Sequence, residues 1–336
     1  MNIARFFRSC VLLLFISLGF LSHSEASHIN GFSFSYRCVG GLDYEVTLYL
    51  YEDCKSSLPP SATVTVCVNS TSCSQYVWVI LDPIDTVFVP TICNVSTKCT
   101  GGIVPGIEGF VYMDTITLPM ACNDWIFSYQ RAIRNPDINT ATSIASDLAG
   151  FCLLDNVAAS CNSSPVFNEL PFGVVCVNKQ FVYDFSATDI DGDSIVYKLD
   201  TPYSDGACGI TKYKMVYKAG LGPYNPASTS GPFLFNDSTG VMSFTATIDT
   251  EVTVMSIIAE EYRNGNLIGN TMQWVQFYVL DCATFGPQAS FSNSNSGLTI
   301  SFTDNSIAGD SLFWDFGDSN TDTSKNPIHT YASKGN

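Results

Sequence analysis

Histidine is almost missing from this chain: its 336 residues include three, His23, His28 and His329. They are too few and too scattered for an imidazole-based metal site or a serine–histidine nucleophile. No G-x-S-x-G elbow and no H-E-x-x-H pair occurs either. Positive charge is scarce: 15 Lys and Arg face 31 Asp and Glu, a formal net charge of −16. A nucleic-acid partner, whose phosphates demand Lys and Arg, is thereby excluded. There is no paired C-x-x-C knuckle, so zinc held by cysteines fits poorly. Nor is there an apolar run after residue 21 long enough to be expected to cross a bilayer. The Asp-Phe-Gly at 315–317 invites a kinase reading, but a glycine-rich nucleotide loop and an H-R-D run are both lacking.

What is present begins with a secretory pattern. Arg5 and Arg8 precede the apolar run "VLLLFISLGFL", and Ser24 and Ala26 occupy the small-residue positions of a cleavage site. Residues 1–26 are therefore expected to be a signal peptide cut after Ala26, and the product secreted or displayed at the cell surface. Losing Arg5, Arg8 and Glu25 takes the net charge from −16 to −17, and losing Cys10 leaves an even set of cysteines. These are Cys38, Cys54, Cys67, Cys73, Cys93, Cys99, Cys122, Cys152, Cys161, Cys176, Cys208 and Cys282. In an oxidising compartment they read as disulfide partners. Nearest neighbours suggest Cys67 with Cys73, Cys93 with Cys99, Cys38 with Cys54, and Cys152 with Cys161, although spacing does not fix connectivity.

Period-two alternation dominates the rest. In "DYEVTLYLYEDC", Tyr44, Val46, Leu48 and Leu50 alternate with Glu45, Thr47, Tyr49 and Tyr51. "SATVTVCV", "QYVWVIL", "QWVQFYVLD" and "GLTISFTD" behave alike, and Gly- and Pro-rich clusters separate them. Only "ATSIASDLAGFCLL" has helical spacing, through Ile144, Leu148 and Phe151. The fold class expected is all-β, a tandem of immunoglobulin-like β-sandwiches. Composition breaks at "AASCNSSP" and "DCATFGPQ" divide the mature chain into units at 27–160, 161–284 and 285–336, the last too short for a whole sandwich.

Three resemblances attach to these units. In the third, Trp314, Asp315, Phe316, Gly317 and Asp318, followed by His329 and Tyr331, resemble the core motif of a PKD domain. Ser319 stands where that family has Gly, and the family runs on for two further strands, which implies a partial domain cut from a longer protein. The middle unit resembles a cadherin-like repeat in "SATDIDGDSIVY", "FNDSTGVM" and "IDTE". That resemblance implies calcium on Asp189 and Asp191 at the junction with the first unit, and on Glu251 at the junction with the third; Asp193 stands beside the first two in the same acidic stretch. The order of the pieces over residues 28–336 is similar to the N-terminal region of large exported PKD-domain surface proteins of gliding Bacteroidota. It implies adhesion without catalysis, and further domains downstream in the same parent chain.

Asp189, Asp191 and Asp193 leave two readings open. Their carboxylates are hard oxygen donors suited to calcium, or they cap backbone amides in a polar turn. An EF-hand is excluded, since counting from Asp189 the glycine falls at position four. The aromatics Tyr36, Tyr49, Tyr51, Tyr76, Trp78, Trp125, Phe127 and Tyr129 read as core or as a platform for sugar rings. "CNDWIFSYQRAIRN" places Arg131 and Arg134 among aromatics in an acidic protein, as an ion pair or a ring contact. The resulting expectation is a non-enzymatic structural or adhesive module meeting an extracellular glycan or protein surface. The alternative is a carbohydrate-binding or spacer region of a secreted hydrolase.

Overall fold

A computed structural model of the chain describes residues 29–54, 60–88, 97, 99, 105–132, 139–140, 147–205, 208, 213–282, 289–306 and 311–333. The expected signal peptide, His28, Cys93 and Arg134 lie outside the described residues. The first strands are β1 (Ile29–Gly40), β2 (Asp43–Asp53), β3 (Val64–Ser70), β4 (Gln75–Phe88), β5 (Ile107–Thr117), β6 (Trp125–Ala132) and β7 (Asp147–Leu154). Shorter strands follow: β8 (Val166–Phe167), β9 (Phe172–Cys176), β10 (Gln180–Asp184), β11 (Ala187–Thr188) and β12 (Ser194–Asp200). Then come β13 (Tyr203–Asp205), β14 (Tyr213–Lys214), β15 (Leu234–Phe235), β16 (Val241–Thr245), β17 (Val252–Arg263) and β18 (Asn266–Leu280). The class is all-β, as the alternation predicts.

Eight of these strands close on themselves. The hydrogen-bonded order β18-β1-β2-β5-β4-β3-β6-β7 returns to β18, because β18 meets β7 at Gly269 and Asn270 and β1 at Gln273 and Trp274. Period two sorts the side chains. Phe32, Phe34 and Tyr36 of β1 and Tyr44, Val46, Leu48 and Leu50 of β2 turn inward. There they meet Trp125, Phe127 and Tyr129 of β6 in one buried core.

Gly150 on β7 lets the strands approach. An added Cβ there would lie 1.9 Å from Cε2 and Cζ of the buried Phe32 ring. Gly150→Ala is therefore expected to destabilise the protein by about 1–3 kcal/mol through overpacking. Urea midpoints read the loss, and Gly222→Ala, where the added Cβ meets nothing within 4 Å and the backbone is not left-handed, supplies the contrast.

The hairpin β17–β18 belongs to two cores. Its turn, Asn264 and Gly265, has φ of 55° and 79°, the left-handed pair that a two-residue hairpin favours. Val254, Met272 and Trp274 face the first core. Met255, Ile257, Ala259, Val275, Phe277 and Val279 face a second, completed by Phe185, Met242 and Phe244. The three-stranded sheet β10-β16-β15 supplies the far side of that second layer. The sheet thus crosses the composition break near residue 160.

The C-terminal strands are β19 (Phe291–Ser296), β20 (Thr299–Asp304), β21 (Trp314–Asp315), β22 (Thr321–Asp322) and β23 (Ile328–Thr330). Trp314 and Phe316 both pack on Phe302, so they point the same way, as their spacing predicts. Asp315 caps the Gly317 amide, and Asp318 accepts from Asn320 N. His329 stacks on Phe316 and meets Asp318 at 2.8 Å, and the Tyr331 hydroxyl donates to Phe316 O. Ser319 takes a left-handed φ of 72°.

Two expectations need correcting. Leu148 and Phe151 sit in strand β7 and not in a helix; Ile144 lies outside the described residues. From Leu148 to Cys152 the strand is buried on both faces, which erases the alternation that marks a strand. The neighbour pairings of cysteines also fail. The disulfides are Cys38–Cys161, Cys54–Cys99, Cys73–Cys122 and Cys176–Cys282. In the β1–β2 hairpin Cys38 lies across from Tyr44, near the turn, whereas Cys54 follows the far end of β2. Cys67 lies within β3, while Cys73 lies in the turn after it and reaches Cys122 instead. These disulfides are compatible with an extracellular protein. Among the described residues no helix is long and apolar enough to cross a membrane.

Candidate metal centre at the base of the shared hairpin

The turn after β11 folds back on itself. The Asp189 carboxylate accepts the Asp193 amide at 2.9 Å, and Gly192 takes a φ of 82°. That much is the polar turn. Three further contacts reach beyond it. Asp191 accepts the Ser163 amide at 2.6 Å, tying the turn to the segment before β8. Asp193 receives a two-point contact from Arg263 at the end of β17, through Nε at 2.8 Å and Nη2 at 2.5 Å. Arg263 Nη2 also donates to Asn162, whose amide donates to Glu261 at 2.9 Å.

Asp189, Asp193 and Glu261 converge, each offering one carboxylate oxygen within 4.8 Å of the others. β12 sets this up, since Ile195 pairs with Glu261 and carries the turn residues to the end of β17. Glu261 is wholly buried. Its Oε1 has no hydrogen-bond partner, and neither does Asp189 Oδ2. Burial first, then the neighbouring Asp189 and Asp193 charges, pushes the Glu261 carboxyl up to about 9, with Asn162 acting the other way. Arg263 holds Asp193 below the usual carboxylate range. Two inward-facing oxygens without donors, on a ring of carboxylates, fit a hard divalent cation. Proton-sharing is the other way such oxygens are satisfied.

Glu251 is not part of this cluster. Its carboxylate accepts from the Ser228 amide and hydroxyl at the opposite end of β17, ten residues or about 33 Å from Glu261. The alternation that buries Met255, Ile257 and Ala259 runs on to Glu261. An acidic residue in an apolar row, three positions before an Asn-Gly turn, was the available signal.

The aromatic set separates cleanly. Tyr36, Tyr51, Trp125, Phe127 and Tyr129 are buried and Tyr49 is half-buried; Tyr76 and Trp78 stand exposed on β4 beside Ile80. Arg131 forms an ion pair with Glu52 at 3.0 Å. Comparison with known proteins finds no matching family model, no matching curated protein and no matching solved structure.

Proposed function

We propose that this chain is a non-enzymatic structural or adhesive module of an exported cell-surface protein, with calcium stiffening the joint beside Asn162. One observation carries the proposal: the β17–β18 hairpin is shared by both cores and fastened at both ends. The Cys176–Cys282 disulfide secures the end where β18 runs beside β9. At the turn end, Arg263 holds Asp193, and the oxygens of Asp189, Asp193 and Glu261 stand ready for the cation. Pulling on one unit is thus transmitted to the other through a strand pair, not through a flexible linker. When bound, calcium neutralises the convergent carboxylates, and the chain's own part is to aim them.

A melting curve of the mature chain with calcium and with chelator tests the cation. A ligand at 100 times its dissociation constant stabilises the folded state by about 2.7 kcal/mol, so a clear rise in Tm is expected. Asp189→Asn combined with Glu261→Gln is expected to abolish the rise, and Glu251→Gln to leave it in place. Superimposed wild-type curves over a wide calcium range would leave the turn as a turn.

A second reading has its own observation. Tyr76 and Trp78 meet edge to face at 5.5 Å on the solvent side of β4. An exposed indole suits the apolar face of a sugar ring, as in a carbohydrate-binding or spacer region of a secreted hydrolase. Glycan-array binding that vanishes with Trp78→Ala would favour it; a blank array with the wild-type protein would remove it.

A further inference from the structure

The outward side of the first circuit carries two thiols in one place. On β3, Val64, Val66 and Val68 face the core, so Cys67 between them faces out. It pairs directly with Ser128 on β6, and side chains opposed in this way stand about 4.5–5.5 Å apart at Cβ. The Ser128 hydroxyl donates to the Cys67 carbonyl at 3.3 Å and accepts the Cys208 amide at 3.0 Å. One hydroxyl thus pins Cys208 over the Cys67–Ser128 pair. Cys67 is 1% exposed although it faces outward, so something covers it. Burial first and the Cys208 thiol next push the Cys67 thiol up to about 12. The Tyr76 phenol is raised chiefly by the same Cys208 thiol.

The other described free thiol is elsewhere. Cys152 belongs to the first core and lies 3.7 Å from the Thr271 hydroxyl, on the inner side of the sheet. The barrel wall separates it from Cys67 and Cys208.

We infer that Cys67 and Cys208 are joined in the exported protein as a further disulfide, stapling the connection between β13 and β14 to β3. The step is thiol–disulfide exchange with a protein or small-molecule disulfide. Each cysteine gives up its thiol proton, the Cys67–Cys208 bond forms, and the oxidant's bond opens to two thiols that take the proton and electron pairs. The inference rests on the reading of an oxidising compartment, and the four other disulfides serve as its internal control.

The test is peptide mapping by mass spectrometry. The mature chain is oxidised in glutathione buffer, denatured without reductant, alkylated and digested. A peptide pair joined through Cys67 and Cys208 is expected, lighter by two hydrogens than the reduced pair and separated by reductant. Cys93→Ser is expected to leave that pair intact, and Cys208→Ser to leave Cys67 alkylated with the other four bonds formed. Full alkylation of wild-type Cys67 beside four closed bonds overturns the inference and leaves export standing. So does either cysteine linked to Cys93. Recovery of the joined pair from chain exported by cells, before any added oxidant, supports both readings together. If exported chain shows none of the four bonds, the export reading fails while the buffer result still decides the pairing.

Discussion

Replacing Arg131 by methionine is expected to cost about 3–5 kcal/mol of folding stability, because it leaves the buried Glu52 carboxylate without its partner. The pair arises from alternation alone. Glu52 continues the inward row of Tyr44, Val46, Leu48 and Leu50 on β2, and Arg131 continues the row of Trp125, Phe127 and Tyr129 on β6. At this end of the core the two rows finish in opposite charges. Burial holds the Glu52 carboxyl above its ordinary value of 4.5, and Arg131 opposes that rise. A raised folded value means the folded state binds the proton more tightly. Stability from this group therefore falls as pH climbs from the ordinary value through the raised one. Without Arg131 the gap widens. The deficit of Arg131→Met is then expected to be small well below pH 4.5, where Glu52 is neutral in both states, and full at neutral pH. Urea midpoints across that range measure it. A deficit that does not change with pH would assign the loss to packing of the arginine stem.

Phe277→Ala is expected to cost about 3–5 kcal/mol as well, and to lower both cores together. The ring is wholly buried against Phe181, Tyr183 and Phe244 in the second core. Trp125 and Trp274, however, report from the first core. In a background of Trp78→Phe and Trp314→Phe, tryptophan fluorescence would follow the first core alone, and circular dichroism the whole. One transition is expected, displaced equally by both probes, because β18 is a wall of each core. A fluorescence midpoint left in place while the dichroism moves would show two independent domains.

Local pattern made much of this legible. The β2 row, the Asn-Gly turn and the convergence of Trp314 and Phe316 follow from period two and turn chemistry. Cys152 and its neighbours on β7 show where pattern stops: a strand covered on both sides has no polar face to mark it. The acidic cluster was half legible. Asp189 and Asp193 lie in one loop, but Glu261 enters from a strand about 70 residues later, and only the β12–β17 pairing brings it there. The cysteine pairs were not legible, since Cys38–Cys161 and Cys176–Cys282 span 123 and 106 residues. Their proximity is a property of topology, which spacing does not encode.

The closing of the first circuit by β18 has a consequence for how the chain matures. Phe32 finds Trp274 across the ladder, so the earliest strand to emerge waits for one of the latest. Until the residues of β18 are available, β1 and β7 present open edges and an unfilled core, a state that favours chaperone capture and mispairing. Folding of this region therefore completes late in the chain's emergence, and its pace is set by a contact between distant parts of the chain.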